Sequence, residues 1–165
     1  MKFGGVFFEF SLLNNKGEIY FVKKLILLLV IVLFLVVIIM KVNRIPSITV
    51  TSEGKKVTTV QGSYCWNGFL NSKCEDLLSP YLLVDEENIE PISINQGSKI
   101  NIDFNPSPID GKYEAYIWQD IEKTVKANMK GNILEAPTQK GSYVYEISAD
   151  WKRGQVSYAF IIEVH

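Results

Sequence analysis

The stretch "GSYVYEISADWKRGQVSYAFIIEV", residues 141–164, predicts the fold of this chain most directly. Both of its halves alternate between two faces, which is the period-two pattern of a half-buried β-strand. One face of the first half carries Tyr143, Tyr145, Ile147, Ala149 and Trp151. The matching face of the second half carries Val156, Tyr158, Phe160, Ile162 and Val164. Because "KRGQ" turns the chain between them, the stretch predicts a long antiparallel hairpin with one core-facing side.

Shorter alternating segments precede this hairpin. "SITVTS" at residues 47–52 and "VTTVQGSYCW" at residues 57–66 predict two strands separated by the turn "EGKK". "PISINQGSKINIDFNPSP" at residues 91–108 predicts two more, and "KYEAYIWQDI" at residues 112–121 predicts another. The segment "EKTVKANMKGNILEAP" at residues 122–137 fits either a short helix or a strand with a turn. About seven to nine short strands with Gly, Pro and Asn turns indicate an all-β, antiparallel β-sandwich.

An unbroken apolar run, "LILLLVIVLFLVVIIM" at residues 25–40, lies near the start of the chain. As a helix it would reach about 24 Å, against about 30 Å of hydrocarbon in a bilayer, and the lysines on either side can extend it toward the headgroups. A buried core helix would carry a polar face, and a cleavable signal peptide would end in an A-x-A pattern of small residues, which "KVNRIPS" lacks. The run therefore predicts an uncleaved, single-pass transmembrane helix over residues 22–42.

The chain has opposite net charges on the two sides of this run. Residues 1–46 carry 6 basic and 2 acidic groups, whereas residues 47–165 carry 11 basic and 16 acidic groups. This asymmetry favours a cytoplasmic N-terminus and an extracellular C-terminal domain, although the basic residues next to the run are nearly balanced. We expect a stalk at residues 43–50 and the sandwich at residues 51–165. Residues 1–21 are either a short cytoplasmic tail or an extension upstream of a start at Val22.

Two segments resemble known proteins. The closing run "APTQKGSYVYEISADWKRGQVSYAFIIEV" is similar to the last strands of bacterial immunoglobulin-like domains, where a proline, a glycine and a tyrosine introduce the penultimate strand. "VQGSYCWN", followed by a second cysteine, resembles a segment of small membrane-anchored or lipid-anchored extracellular proteins of Gram-positive, Bacillus-type bacteria. The resemblance implies an immunoglobulin-like β-sandwich outside the cell, preceded by one transmembrane helix. The lipobox cysteine of the lipid-anchored members is missing, so lipidation is not implied.

The chain contains two cysteines, Cys65 and Cys74. A zinc site would need more ligands, and the single histidine, His165, is the last residue. The shortage of a nearby base also argues against a catalytic thiol, and no C-x-x-C redox motif is present. A disulfide that closes a surface loop is the favoured interpretation, with two free thiols as the alternative. A disulfide agrees with an oxidising compartment outside the membrane.

Other candidate sites for chemistry are weaker. "DEEN" at residues 85–88 is either a solvated charge run or a calcium site, and Asp103, Asn105 and Asp110 offer a second set of oxygen ligands without EF-hand spacing. We therefore predict no catalytic residue, no metal and no cofactor. The acidic domain lacks a basic stripe and a glycine-rich phosphate loop, which disfavours binding to nucleic acid.

Residues beside two turns are the candidates for binding. Trp66 and Asn67 lie at the cysteine loop, and Trp151, Lys152 and Arg153 form the turn of the last hairpin. An exposed tryptophan at a loop stacks on a sugar ring or anchors a protein partner, whereas a buried one packs at the edge of the core. Both interpretations remain open for Trp66 and for Trp151.

These features predict a membrane-tethered extracytoplasmic domain that binds an envelope or surface partner and has no catalytic activity. An alternative function is a cell-envelope carbohydrate-binding module or hydrolase, which would use acidic residues and exposed tryptophans. A concave groove with two carboxylates and a tryptophan would favour this alternative. A sensor or accessory subunit is a third possibility, although the span lacks the small-residue spacing that pairs transmembrane helices.

Overall fold

The computed structural model describes residues 16–109 and 112–165. Contacts between residues divide the chain into two compact units, Met1–Lys41 and Val42–His165. Helix α1, Lys16–Val42, is long and apolar enough in its segment Tyr20–Lys41 to cross a membrane, and none of that segment is buried in the protein. The span predicted over residues 22–42 falls within α1. The part of the predicted N-terminal tail that precedes Lys16 lies outside the described residues.

The second unit is built from short strands, as the alternating patterns predict. Its described residues form β1 Ser47–Ser52, β2 Lys55–Val57, β3 Val60–Asn67, β4 Ser72–Glu75, β5 Ile92–Ile94, β6 Lys99–Asn105, β7 Tyr113–Trp118, β8 Thr124–Lys126, β9 Met129–Lys130, β10 Ile133–Glu135, β11 Gly141–Trp151 and β12 Gly154–Val164. Helix α2, Pro80–Glu86, lies between β4 and β5.

The strands form two sheets. The first has the order β2-β1-β6-β10-β9 and is antiparallel throughout. The second has the order β4-β3-β12-β11-β7-β8, and β5 joins it in parallel to the end of β12. The long hairpin predicted from residues 141–164 is present as β11 and β12, which pair from Gly141↔Val164 to Trp151↔Gly154. The prediction of a mostly antiparallel β-sandwich after an apolar helix is confirmed.

The hydrophobic core lies between the two sheets and uses the faces that the sequence predicts. Val50 on β1 and Ile100 and Ile102 on β6 are fully buried, as are Tyr145 on β11 and Phe160 on β12. The rings of Tyr145 and Phe160 are cross-strand partners and stack with centroids 5.1 Å apart. Aromatic cross-strand pairs of this kind stabilise a sheet beyond the area that they bury.

A second aromatic group closes the end of the sandwich at which the chain enters β1. Phe104, the register partner of Ile48 on β1, lies 5.4 Å from the ring of Tyr113 and 6.1 Å from the ring of Trp151. The indole nitrogen of Trp151 donates to the carbonyl oxygen of Pro106 at 2.9 Å. We refer to this end of the domain, which contains Ser47 and Trp151, as the entry end.

Helix α2 covers part of the outer face of the second sheet. Its Leu83 and Val84 are buried, and Val84 packs against Val144 on β11 and Ala159 on β12. Pro80 occupies the first turn, where its fixed backbone angle favours helix formation and its missing N–H costs nothing. The charge run "DEEN" therefore includes the C-terminal end of a helix, because the apolar side of that segment has a sheet to pack against.

Three predicted boundaries differ from the structure. The predicted stalk at residues 43–50 is shorter, because Ser47–Val50 belong to β1, which pairs with β6 and buries Ile48 and Val50. The single strand predicted over residues 57–66 is interrupted between β2 and β3. The ambiguous segment at residues 122–137 contains β8, β9 and β10, with Gly131 at a positive φ of 59° in the turn before β10.

Candidate functional site

The predicted disulfide is present and joins Cys65 to Cys74. The two residues are register partners on β3 and β4, which form a hairpin, and both side chains lie on its exposed face. The hairpin is also closed by a hydrogen bond from the Ser72 hydroxyl to the Asn67 side-chain oxygen at 2.7 Å. The bridge therefore fixes the strands on either side of the turn at residues 68–71.

The two predicted binding turns lie side by side at the entry end. Gly154 pairs with Trp66, and the backbone N–H of Asn67 donates to the carbonyl oxygen of Arg153 at 2.7 Å. Trp66 and Trp151 contact each other edge to face, with centroids 6.1 Å apart, but only 7% and 8% of their surfaces are exposed. The two indole rings belong to the core and do not offer a face for stacking on a ligand.

The polar members of these two turns remain accessible. Asn67 and Lys152 are exposed, and Arg153 is partly exposed. Burial of the two tryptophans removes their rings from any binding hot spot at these turns, since a hot-spot side chain has to be reached by the partner. The structure brings the predicted residues together, but as the closure of a core rather than as a recess for a ligand.

A groove of about 1220 Å³ lies elsewhere, on the outer face of the second sheet. One wall consists of residues from α2 and the segment that follows it to Pro91, including Tyr81 and Leu82. The other wall is formed by the ends of β7 and β8 and by the chain that leads into β11. This volume exceeds the 300–1,000 Å³ that is usual for small-molecule pockets, so the groove has room for an extended ligand.

Aromatic rings and side-chain amides line the groove together. Tyr81 is 41% exposed, and Trp118 is partly exposed with its indole nitrogen donating to Glu146 Oε2 at 2.9 Å. That hydrogen bond fixes the Trp118 ring against the outer face of β11. Tyr143 is also fixed, because its hydroxyl donates to the carbonyl oxygen of Gln139 at 2.8 Å.

Polar groups of several kinds accompany these rings in the groove. They are the amides of Asn88, Gln119 and Gln139, the hydroxyls of Thr138 and Ser142, and the carboxylates of Asp85 and Glu90. Amides donate and accept hydrogen bonds, whereas carboxylates accept them. A ligand with many hydroxyl groups and flat apolar ring faces would match this combination of partners.

An ion pair on β7 and β8 adjoins the groove residues Ile117 and Val125. Lys126 donates to one carboxylate oxygen of Glu114, and the Tyr116 hydroxyl donates to the other. The hydrogen bonds from Lys126 and then Tyr116 hold the pKa of Glu114 below its ordinary value, and the same carboxylate raises the pKa of Lys126 and of Tyr116. The pair is exposed, so it fixes charge near the groove more than it stabilises the fold.

The groove and the entry end lie at opposite ends of the long hairpin. Ser142, which lines the groove, is nine residues from Trp151 along β11, and this separation corresponds to about 30 Å at about 3.3 Å per residue. Trp118 on β7 pairs with Val144 near the same far end. The groove is therefore remote from the point at which the chain enters the domain at Ser47.

Within residues 16–109 and 112–165, no three His, Cys, Asp or Glu side chains cluster closely enough to hold a metal ion. Of the weaker calcium set considered above, Asp110 lies outside the described residues. His165, the single histidine, contacts the Ser93 hydroxyl through Nδ1 at 2.8 Å.

Sequence reasoning did not identify the groove. Its residues come from segments separated by up to about 80 positions, and only the pairing of β7 with β11 and the docking of α2 bring them together. One local signal was available, since Pro80 followed by Leu83 and Val84 has the start and the spacing of a short amphipathic helix. Comparison of the chain with protein-family models, curated proteins and solved structures finds no match.

Proposed function

We propose that this protein is a single-pass membrane protein whose extracytoplasmic domain binds an envelope or surface ligand and has no catalytic activity. Helix α1 would be the anchor, because its apolar segment has the length and composition of a membrane span. The observation that carries the proposal is the groove, which lies about 30 Å along β11 from the entry end.

The disulfide supports the extracytoplasmic location. Disulfides persist in oxidising compartments and are rare in the cytosol, where thiols are kept reduced. The bridge between Cys65 and Cys74 lies on an exposed face, where cytosolic reductants would reach it. The resemblance to immunoglobulin-like surface proteins of Gram-positive bacteria agrees with this location and forms part of the proposal.

The lining of the groove favours a carbohydrate as the ligand. Sugar rings have apolar faces that stack on aromatic side chains and hydroxyls that pair with amides and carboxylates. The groove offers Tyr81 and Trp118 for the first contact and the amides of Asn88, Gln119 and Gln139 for the second. The groove also contains two carboxylates, Asp85 and Glu90, and one tryptophan, Trp118. This is the combination that we expected of a carbohydrate-binding module or hydrolase.

The test measures binding of N-acetylhexosamine and hexose oligosaccharides to the full-length protein in lipid nanodiscs by calorimetry. Tyr81→Ala removes an exposed ring from the groove wall and should weaken binding by about tenfold or more, as loss of an aromatic hot spot does. Leu78→Ala is the matched control, since Leu78 is similarly exposed at 46% but does not line the groove.

Equal binding by both variants would contradict the assignment of the groove. Binding of unstructured peptides in place of oligosaccharides, with the same loss in Tyr81→Ala, would retain the groove and replace the ligand class. Release of new reducing ends from the oligosaccharides would show a hydrolase and contradict the absence of catalysis.

A further inference from the structure

The turn of the β3–β4 hairpin exposes two large apolar side chains. Phe69 is 60% exposed and Leu70 is 85% exposed, and they are adjacent at the tip of the hairpin. We refer to this pair as the apolar tip. Adjacent exposed apolar side chains form a contiguous apolar surface, and such surfaces are characteristic of contacts with a membrane, a protein or a ligand.

The apolar tip is not part of a loose loop. The N–H of Gly68 donates to the carbonyl oxygen of Asn71 at 2.7 Å, which closes the turn, and the disulfide fixes the strands behind it. Gly68 has little space, because a Cβ added there would lie 2.9 Å from both Asn43 Oδ1 and the Asn71 carbonyl oxygen. The exposure of Phe69 and Leu70 is therefore built into an ordered turn.

A hydrogen bond connects the apolar tip to the chain that leaves α1. The N–H of Phe69 donates to Asn43 Oδ1 at 2.7 Å. Asn43 follows Lys41, the last residue of the apolar segment, by two positions. Because consecutive Cα atoms are about 3.8 Å apart, the two-residue step from Lys41 to Asn43 and the hydrogen bond from Phe69 together limit the Phe69 backbone to within about 15 Å of Lys41. The polar layer of a bilayer is about 5–8 Å thick on each side, so the tip is within reach of it.

The charges around the apolar tip suit the surface of an anionic bilayer. The segment 41–46 contains Lys41 and Arg44 and no acidic residue, although residues 47–165 as a whole are net acidic. On the hairpin itself, Lys73 forms an ion pair with Glu75 at 2.8 Å, so the positive charge near the apolar tip comes from the segment that leads into β1. The neighbouring turn adds Lys152, which is exposed. Basic residues near a membrane are attracted to anionic lipids, and apolar side chains beside them enter the headgroup layer.

We propose that the apolar tip, Phe69 and Leu70, inserts into the headgroup layer of the bilayer that α1 spans and fixes the orientation of the domain on that surface. This inference rests on the proposed role of α1 as an anchor, but it does not depend on the ligand of the groove. The apolar tip would then be a second contact of the protein with the membrane, in addition to α1.

The experiment attaches an environment-sensitive fluorophore to single cysteine variants of the full-length protein in anionic liposomes. No reductant is used, so Cys65 and Cys74 remain paired and only the introduced thiol reacts. Leu70→Cys reports on the apolar tip and Thr138→Cys on the exposed far end, while Leu35→Cys reports on the middle of α1. Quenching is measured with nitroxide-labelled lipids and, separately, with aqueous iodide.

The proposal expects the label at position 70 to lose most of its emission to nitroxide lipids and little to iodide, with the reverse at position 138. If position 35 is quenched by lipid and position 70 only by iodide, the anchor stands and the insertion of the tip is refuted. If neither position is quenched by lipid, the anchor itself is refuted. If position 70 is shielded from both quenchers, a protein surface covers the tip, and the lipid proposal is overturned.

Discussion

Gly154 is the position at which a single methyl group should disturb the sandwich most. A Cβ added there would lie 1.9 Å from the carbonyl oxygen of Cys65 and 3.1 Å from the Cα of Trp66, and both atoms belong to the backbone of β3. Backbone cannot rotate away as a flexible side chain can. Gly154→Ala must therefore separate β12 from β3 where Gly154 pairs with Trp66 and Asn67 bonds to Arg153.

The expected cost of Gly154→Ala has two parts. Overpacking costs about 1–3 kcal/mol, and a non-glycine residue at the observed φ of 150° costs about 1–3 kcal/mol. We expect a loss of about 2–5 kcal/mol in the free energy of unfolding, because some of the clash is relieved by movement of the strands. Gly54→Ala is the control, since Gly54 also has a positive φ of 74° but nothing lies within 4 Å of an added Cβ. Its cost should be about 1 kcal/mol.

The assay is guanidinium unfolding of the full-length protein in detergent, followed by tryptophan emission. All three tryptophans lie in the second unit, so the signal reports on the sandwich and not on α1. Two-state fits with equal slopes allow the midpoints to be compared as stabilities. Equal midpoints for Gly154→Ala and Gly54→Ala would refute the reasoning, because they would show that β12 and β3 can separate at the entry end without cost.

Three further predictions concern the bridge and the first turn. Replacing Cys65 and Cys74 by serine should lower the free energy of unfolding by about 2–3 kcal/mol in the same assay, as expected for a loop of this length. On intact cells, a membrane-impermeant maleimide should label these cysteines only after reduction, whereas labelling that requires lysis would place the domain in the cytoplasm. Hydrogen bonds from Ser98 and then Asn95 hold the pKa of Glu53 at about 2, against an ordinary value of 4.5. Because the pKa is lowered by folding, this carboxylate stabilises the protein above pH 4.5, and the contribution is lost as the pH falls toward 2. Glu53→Gln should therefore lose less stability than the wild type across that window, and equal losses would contradict the role of these bonds.

The sequence by itself determined the elements whose physical signal is local. The period-two alternation of residues 141–164 specified two strands, their core-facing sides and their hairpin, since side chains of a strand point alternately to opposite faces. The apolar run specified helix α1, because no polar face interrupts it. The two cysteines favoured a disulfide over a metal site or a catalytic thiol, with two free thiols as the alternative.

The tertiary structure decided which of these elements are neighbours. Alternation places Trp151 on the core-facing side of the hairpin but left open whether Trp66 and Trp151 are buried or exposed, and only the pairing of β3 with β12 places the two rings against each other and out of reach of a ligand. The contact between Phe69 and Asn43 joins residues 26 positions apart and has no local signature.

The groove depends most completely on tertiary structure. Tyr81 and Trp118 are brought together because α2 buries Leu83 and Val84 on a sheet whose outer face is apolar at Val144 and Ala159. Which distant segments pack together is set by the free energy of the whole domain, to which each local pattern contributes only a small part. The sequence therefore predicted strands, faces and a bridge, whereas the recess that we assign to a ligand exists only in the folded domain.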